Sequence, residues 1–303
     1  MNASVTVTVL TPSWNAATWA RDAAASVAAQ TWDGEIEHLV LDVGSTDGTV
    51  DRIREGNPRA TIVEEGIRDG LYAALNRGLA RAKGSVIAWL NADDLFRPDA
   101  IARAVEALDR APDAGIAVGD LELLRASGER VVLRHPESVL ERCRAGELVE
   151  GFVTPLCCFW RRDLLASLGP YDPALRIVAD RDLWLRLASR PAATRIVHTG
   201  AIAGTFREHD GSLSAGAPGV HRSLVDHATL WERWTAAPEA PDAVRRSART
   251  LWQTALLDIA SRDFKAGRIA DGRRRMAALL ASGPGWWRPI ARVPSNLLRP
   301  RGR

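Results

Sequence analysis

Two adjacent carboxylates, Asp93 and Asp94, close the apolar run "SVIAWLNADD", which reads as a buried strand over 86–90. Asp and Asn favour turns and helix N-caps, and a helix starting near Pro98 follows, so a plain turn is one explanation. A metal and phosphate site is the other. Ligands of open α/β sheets collect at the carboxyl ends of strands. Hard divalent cations take carboxylate oxygens, and a diphosphate needs such a cation. In an extended chain alternate residues share a face, so Asn91 and Asp93 should point one way and Asp94 the other. One carboxylate would then serve a metal, its neighbour a sugar hydroxyl or a structural partner.

Four more stretches carry residues of the right type. "TPSWN", Thr11 to Asn15, follows the first strand. It is either a proline turn with Asn15 as a helix cap or a nucleotide-binding loop. "LDVGSTDGT" puts Asp42 at a strand tip beside Gly44 and Gly48, with Ser45, Thr46 and Asp47 able to cap the next helix. A calcium loop is excluded: counted from Asp42, the sixth residue is Asp47 instead of Gly and the twelfth is Ile53 instead of Glu. A strand-end Asp in a Gly turn suits a ribose or base contact. In "ADRDLWLRL", Asp180 and Asp182 open an amphipathic helix. One is expected to compensate the helix dipole and the other to act as a general base. In "FREHDGSLS", Arg207 and His209 alternate along a strand-like stretch and share a face, beside Ser212 and Ser214.

The elements that must position these residues alternate strand and helix. Strands are expected over 5–10, 36–41, 60–63, 86–90 and 115–119, and helices over 17–30, 49–55, 70–82 and 99–110. Such alternation predicts a mostly parallel central sheet flanked by helices. After residue 120 the order changes. The segments 121–124 and 130–133 flank "ASGE" as a hairpin, 155–160 is apolar, 179–190 is helical and 195–206 forms one or two strands. From 220 to about 282 the pattern is helical. The expected division is an α/β domain over 1–217 and a helical extension over 218–303.

The 303 residues are 46% hydrophobic and 25% charged, which fits a soluble globular protein with one large core. Three cysteines, Cys143, Cys157 and Cys158, make no disulfide framework. The adjacent pair reads as buried thiols, and a reducing cytoplasm is the expected location. No basic leader precedes the first strand, and no apolar run reaches a membrane span of roughly 18 residues. Of the net charge of +3, eight arginines with no acid lie in 272–303, so the rest of the chain sums to −5. That tail, "GRRRMAALLASGPGWWRPIARVPSNLLRPRGR", suits an anionic membrane surface, with a solvated basic terminus as the alternative. Nucleic acid is not an expected partner: the arginines are terminal and no recognised motif accompanies them.

Taken in order, "TPSWN", "LDVGSTDGT", "DGLYAALNRGLARAKGSVIAWLNADD", "FWRRDLLASLGPYDPALRIVADRDLWLRLA" and "FREHDGSLS" resemble family 2 glycosyltransferases, the inverting enzymes of the GT-A fold, over about residues 4–215. The resemblance implies transfer of a sugar from a nucleotide-diphosphate sugar to an acceptor hydroxyl, with a divalent Mn²⁺ or Mg²⁺ ion. By that resemblance Thr11, Pro12 and Asn15 form the first nucleotide loop. Asp42 contacts the base or ribose, with Ser45 in the same loop. Gly70 and Asn76 belong to a "G-x-Y-x-A-x-N" helix that faces the donor. Asp93 and Asp94 form the metal motif, with Asp94 the direct ligand and Asp93 toward the sugar nucleotide. Asp180 is the catalytic base, and His209 completes the metal site. A UDP-sugar is the expected donor, and a glycan or lipid-linked molecule in cell-surface or polysaccharide assembly the expected acceptor. Peripheral attachment to the inner face of the membrane would follow.

The chain departs from the family at Asn91, where many relatives have Asp, and at Arg68, Ala73 and Ala179, where acids are common. These departures bear on the donor, and they keep a second reading open, a non-catalytic nucleotide-sugar-binding or assembly subunit. A sugar nucleotidyltransferase would want a Gly-rich loop bearing Lys or Arg near the first strand, which "TPSWN" is not.

Overall fold

The computed structural model describes residues 6–64, 66, 69–136, 138, 140–141, 153–190, 194–209, 211–212 and 216–282. The chain divides into two compact units, Met1–Ser212 and Leu213–Arg303.

The first unit is built on a nine-stranded sheet among the described residues, ordered β3-β2-β1-β4-β8-β6-β9-β5, with β7 paired to β6. Its parallel half comprises β1 (Thr6–Ser13), β2 (Glu35–Asp42), β3 (Thr61–Glu64) and β4 (Val86–Trp89). Val7, Thr8 and Val9 are all fully buried, as a strand covered on both faces by helices requires. The expected predominance of parallel pairing stops at β4. Beyond it β8 (Cys158–Arg161) pairs antiparallel with β4 and with β6 (Ala114–Leu124). β9 (Arg195–Arg207) runs parallel to β6, and β5 (Leu95–Phe96) antiparallel to β9, so the sheet is mixed. The hairpin expected around "ASGE" is present, with Leu121 opposite Leu133 of β7 (Arg130–Leu133). The segment 195–207 is one strand with shifts in register.

Helices α1 (Ala17–Ala28), α2 (Thr49–Gly56), α3 (Leu71–Arg81) and α4 (Ala100–Arg110) cover the sheet. α1 buries Ala20, Ala23, Ala24 and Val27, and α4 buries Ile101, Ala104, Val105 and Leu108, both at the three- and four-residue spacing of a single helical face. α3 lies close on β1 and β2 because Gly78 has no side chain; a Cβ there would stand 2.6 Å from Leu41 Cδ1. Two further helices of the unit are α5 (Arg162–Leu168) and α6 (Ala179–Ala188). Cys157 and Cys158 are buried, as expected of apolar thiols, whereas Cys143 lies outside the described residues.

The second unit holds α7 (Gly216–Ala236), α8 (Asp242–Lys265) and α9 (Ile269–Ala281). Ala228, Ala255 and Ile259 pack at its core with Leu224, Val225 and Trp252. Buried Asp263 receives Arg268 and Arg275, each at 2.8 Å, which ties the end of α8 to the N-cap and the middle of α9. Among the described residues no helix is long and apolar enough to cross a membrane. Trp286 and Trp287 lie outside the described residues.

Candidate active site

The register of the parallel strands brings three sequence motifs to one edge. Ser13 stands opposite Asp42, so β1 and β2 end together, and β4 ends at the same side of the sheet with Trp89 opposite Leu10.

In the first loop Thr11 lies on β1, buried, with its Oγ1 3.0 Å from His38 Nε2. The Asn57 side-chain oxygen accepts the Arg59 N–H, which orients its amide so that Nδ2 donates to His38 Nδ1 at 3.0 Å. His38 therefore keeps its proton on Nε2 and donates it to Thr11. Thr11, expected in the nucleotide loop, thus accepts a hydrogen bond from within the sheet. Pro12 faces Leu41 across the strand pair. Asn15 does not cap α1, whose N-cap is Ala16. It adopts a left-handed φ of 46°, donates its N–H to Ser45 Oγ at 2.9 Å, and accepts the Thr46 N–H at 2.9 Å, so it staples the two loops together.

Asp42 is held by its own loop and by the end of β1. Oδ1 accepts the hydroxyls of Ser13 (2.9 Å) and Ser45 (2.6 Å), and Oδ2 the N–H groups of Gly44 (3.1 Å) and Ser45 (2.9 Å). Asp47 accepts from Thr49 at the start of α2 and from the Ala17 N–H at the start of α1. Trp14 projects from this edge with 54% of its surface exposed. It was not singled out in the sequence, although it is the one aromatic residue within "TPSWN".

The expected alternation at Asn91–Asp94 fails because β4 ends at Trp89 and the next residues turn, with the Asp94 N–H donating to the Asn91 carbonyl at 3.2 Å. Asn91 and Asp94 consequently meet, Nδ2 to Oδ2 at 3.0 Å. The other Asp94 oxygen accepts the backbone N–H of Arg207 at 3.0 Å. Asp94 is fully buried, and that burial, reinforced by the charge of Asp93, pushes its carboxyl up to about 7. The direct-ligand assignment to Asp94 thus meets a side chain turned inward. Asp93 is the half-buried carboxylate, and its Oδ2 lies 3.1 Å from His209 Nε2.

His209 Nδ1 accepts the Gly211 N–H at 3.1 Å, which leaves the proton of the neutral ring on Nε2, toward Asp93. Among the described residues no group of three His, Cys, Asp or Glu side chains gathers as a full ligand set. Asp93 and His209 make a partial set of hard and borderline donors. Those donors would suit an Mg²⁺ or Mn²⁺ ion, which would supply positive charge beside a diphosphate.

Asp180 is the second residue of α6. Tyr72 on α3 places its hydroxyl 3.1 Å from Asp180 Oδ1 and 2.9 Å from the Ile177 carbonyl. Desolvation raises the Asp180 carboxyl, against the lowering influence of Arg181 and of the Tyr72 hydroxyl. Tyr72, Trp89 and Tyr171 form an aromatic triangle with centroids 5.4 to 6.1 Å apart. Trp89 Nε1 donates to Asn91 Oδ1 at 2.7 Å, so one packed chain of contacts runs from Asp180 through Tyr72 and Trp89 to Asn91 and Asp94. No aspartate side chain caps α6, but Asp180 and Asp182 both lie in its first turn, where the helix dipole favours a carboxylate, and Asp182 lies 2.9 Å from Arg186.

Gly70 starts α3 with φ 109°, a conformation that L side chains rarely adopt. Asn76, expected to face the donor, spends its amide on Tyr171: Nδ2 donates to the carbonyl at 2.8 Å, and Oδ1 accepts the N–H at 2.9 Å. It positions the segment leading to Asp180. Asp69 is paired with Arg77 at 2.5 and 3.1 Å, while Arg68 lies outside the described residues, as do Ser214 and Asp210.

Comparison with known proteins places these features in a family. The model of glycosyl transferase family 2 matches residues 8–163. An uncharacterized glycosyltransferase of Mycobacterium tuberculosis is 33% identical over 201 residues, covering 65% of this chain and 75% of the relative. A PGL/p-HBAD biosynthesis glycosyltransferase of Mycobacterium bovis is 30% identical over 191 residues, 61% and 70% of the two chains. Among solved structures, a mannosyltransferase of Pyrobaculum calidifontis in complex with GDP-Man and Mn²⁺ superposes with a TM-score of 0.60 at 19% identity, over 98% of this chain and 82% of that one. TarS of Staphylococcus aureus, solved with UDP-GlcNAc, gives a TM-score of 0.60 at 16% identity, over 86% and 73%. The sheet, its helices and these neighbours make the fold GT-A, and the chain belongs to glycosyl transferase family 2.

Proposed function

We propose that this glycosyltransferase is an inverting enzyme in which Asp180 is the general base and Asp93 and His209 hold a divalent cation. The observation that carries the reading is the meeting of Asp93 and His209, 116 residues apart in sequence, at the carboxyl end of β4. When bound, such a cation neutralises the donor diphosphate as it leaves. The solved neighbours that hold GDP-Man with Mn²⁺, or UDP-GlcNAc, support a nucleotide-sugar donor of the same kind. We take a UDP-sugar as the donor and exposed Trp14 as the platform on which its base stacks.

The chemistry asked of the chain is modest. The acceptor oxygen attacks the anomeric carbon, the bond to the diphosphate oxygen breaks on the opposite face, and the acceptor proton passes to Asp180. One base serves such a single displacement, and a carboxyl raised by desolvation is a stronger base than an ordinary one. Asn91 and Asp94 fix the turn that presents Asp93, and Asn76 fixes the segment that presents Asp180. The acceptor is a hydroxyl of a glycan or lipid-linked molecule, in keeping with the PGL/p-HBAD biosynthesis relative. The acid-free tail after residue 271 would hold the enzyme at an anionic membrane surface.

Asp180→Asn tests the base directly. The variant should bind UDP within about twofold of the parent and lose about 10²–10⁴-fold in turnover, the usual worth of a positioned base. Unchanged turnover would remove Asp180 from the mechanism. Tight donor binding without transfer in the parent itself would favour a nucleotide-sugar-binding subunit.

A further inference from the structure

Trp19 sits on α1, outside every motif discussed above, and its ring lies against His209: the centroids are 5.3 Å apart with the planes inclined at 32°. Arg207 sets its guanidinium carbon 5.1 Å from the centre of the same ring and reaches Asp22, also on α1, at 3.6 Å. The Arg207 backbone N–H in turn holds Asp94. One indole therefore touches both residues that the end of β9 and the following loop bring to the Asp93–Asp94 turn. The Arg207 side chain is buried, and its Nη2 has no hydrogen-bond partner among the described residues, so the indole face is a principal neighbour of that cation.

We infer that Trp19 is a positioning residue for His209, holding the imidazole plane so that Nε2 faces the Asp93 carboxylate. The inference rests on the reading of Asp93 and His209 as ligands of a divalent cation. The reason a ring is needed lies in the hydrogen bonds. As described, Nδ1 accepts from Gly211 and Nε2 points its proton at Asp93. A cation on Nε2 requires the proton on Nδ1, which ends acceptance from Gly211. Both hydrogen bonds change when the cation enters. The stack on Trp19 does not depend on which nitrogen carries the proton, so it constrains the ring in either state.

The test measures free Mn²⁺ by electron paramagnetic resonance in the presence of UDP, on the full chain. The proteins are the parent, Trp19→Phe, Trp19→Leu, Trp19→Ala, His209→Ala and the Trp19→Ala/His209→Ala double variant. Outer partners of metal ligands are worth about 10–100-fold in affinity, so Trp19→Ala should weaken Mn²⁺ about 10-fold. Trp19→Phe should stay within about twofold, because a six-membered ring still stacks, whereas Trp19→Leu should lose affinity though it fills space. In the His209→Ala background Trp19→Ala should cost nothing more. Parent-like affinity in Trp19→Leu, or an equal loss in both backgrounds, would overturn the positioning role. His209→Ala binding Mn²⁺ like the parent would instead overturn the ligand assignment beneath it.

Discussion

Asp180 makes the sharpest claim at the scale of single residues. Its carboxyl is raised by desolvation, so the base form is lost at a higher pH than for an ordinary carboxylate near 4. The kcat/KM profile should therefore fall on the acid side with a midpoint above that value. The Tyr72 hydroxyl stabilises the charged form, so Tyr72→Phe should move the acid limb to still higher pH. A limb unmoved by Tyr72→Phe would show that the hydroxyl serves only the Ile177 carbonyl. Asp180, Asp93 and His209 were all legible as chemistry-bearing residues from their types and order. The division of labour at Asn91–Asp94 was not, because the alternation of faces holds only while the chain is extended, and here it turns after Trp89. Thr11, Asp42 and Asn76 matched their motifs, yet their polar atoms are taken by His38, by the Ser45 loop and by Tyr171. A motif records which residue is present, and hydrogen-bond partners decide what remains for a ligand.

At the scale of elements, the site depends on how closely strands approach. Gly204 on β9 lets the backbone of β5 come near; a Cβ there would stand 2.6 Å from the Leu95 carbonyl oxygen. Gly204→Ala must push β5, and with it the Asp93–Asp94 turn, out of place. It should cost about 1–3 kcal/mol in urea unfolding and weaken Mn²⁺–UDP binding as well. Loss of neither would mean that the strands can part without effect. The β1–β2 pair carries a buried histidine, His38, whose pKa burial lowers to about 4. The unfolded chain then binds more protons than the folded one between about pH 6.5 and 4, so stability falls as pH falls through that window. The full loss is up to about 3 kcal/mol. Urea midpoints at pH 7.5 and 4.5 should differ less in His38→Gln than in the parent; an equal difference would assign the acid sensitivity elsewhere. The parallel strands and their helices were readable because apolar runs alternated with amphipathic ones. The antiparallel insertion of β8 was not, since a buried apolar strand looks the same in either direction.

At the scale of the molecule, charge and apolar exposure concentrate toward the C-terminus. On α9, Ile269, Arg273 and Leu280 are all exposed, and their spacing places them on one face with Met276. An apolar stripe edged by arginine suits an anionic lipid surface. Vesicles containing phosphatidylglycerol should retain the full chain at low salt. Because each basic residue near such a surface is worth about 1 kcal/mol, Arg273→Glu/Arg274→Glu should weaken retention about 10-fold or more. Equal retention of both proteins would end the membrane reading. The helical extension itself was legible from its period, whereas the buried Asp263 with its two arginines was not, because sequence spacing alone does not distinguish it from the many exposed acid–arginine pairs. Across the whole chain, function depends on a cation and a nucleotide meeting at the end of β4. Calorimetric titration of UDP, with and without Mn²⁺, against the parent, Asp93→Ala and His209→Ala measures that most directly. Binding should need Mn²⁺ and be lost or weakened at least about 10-fold in both variants. Binding indifferent to the metal and to both side chains would contradict that dependence.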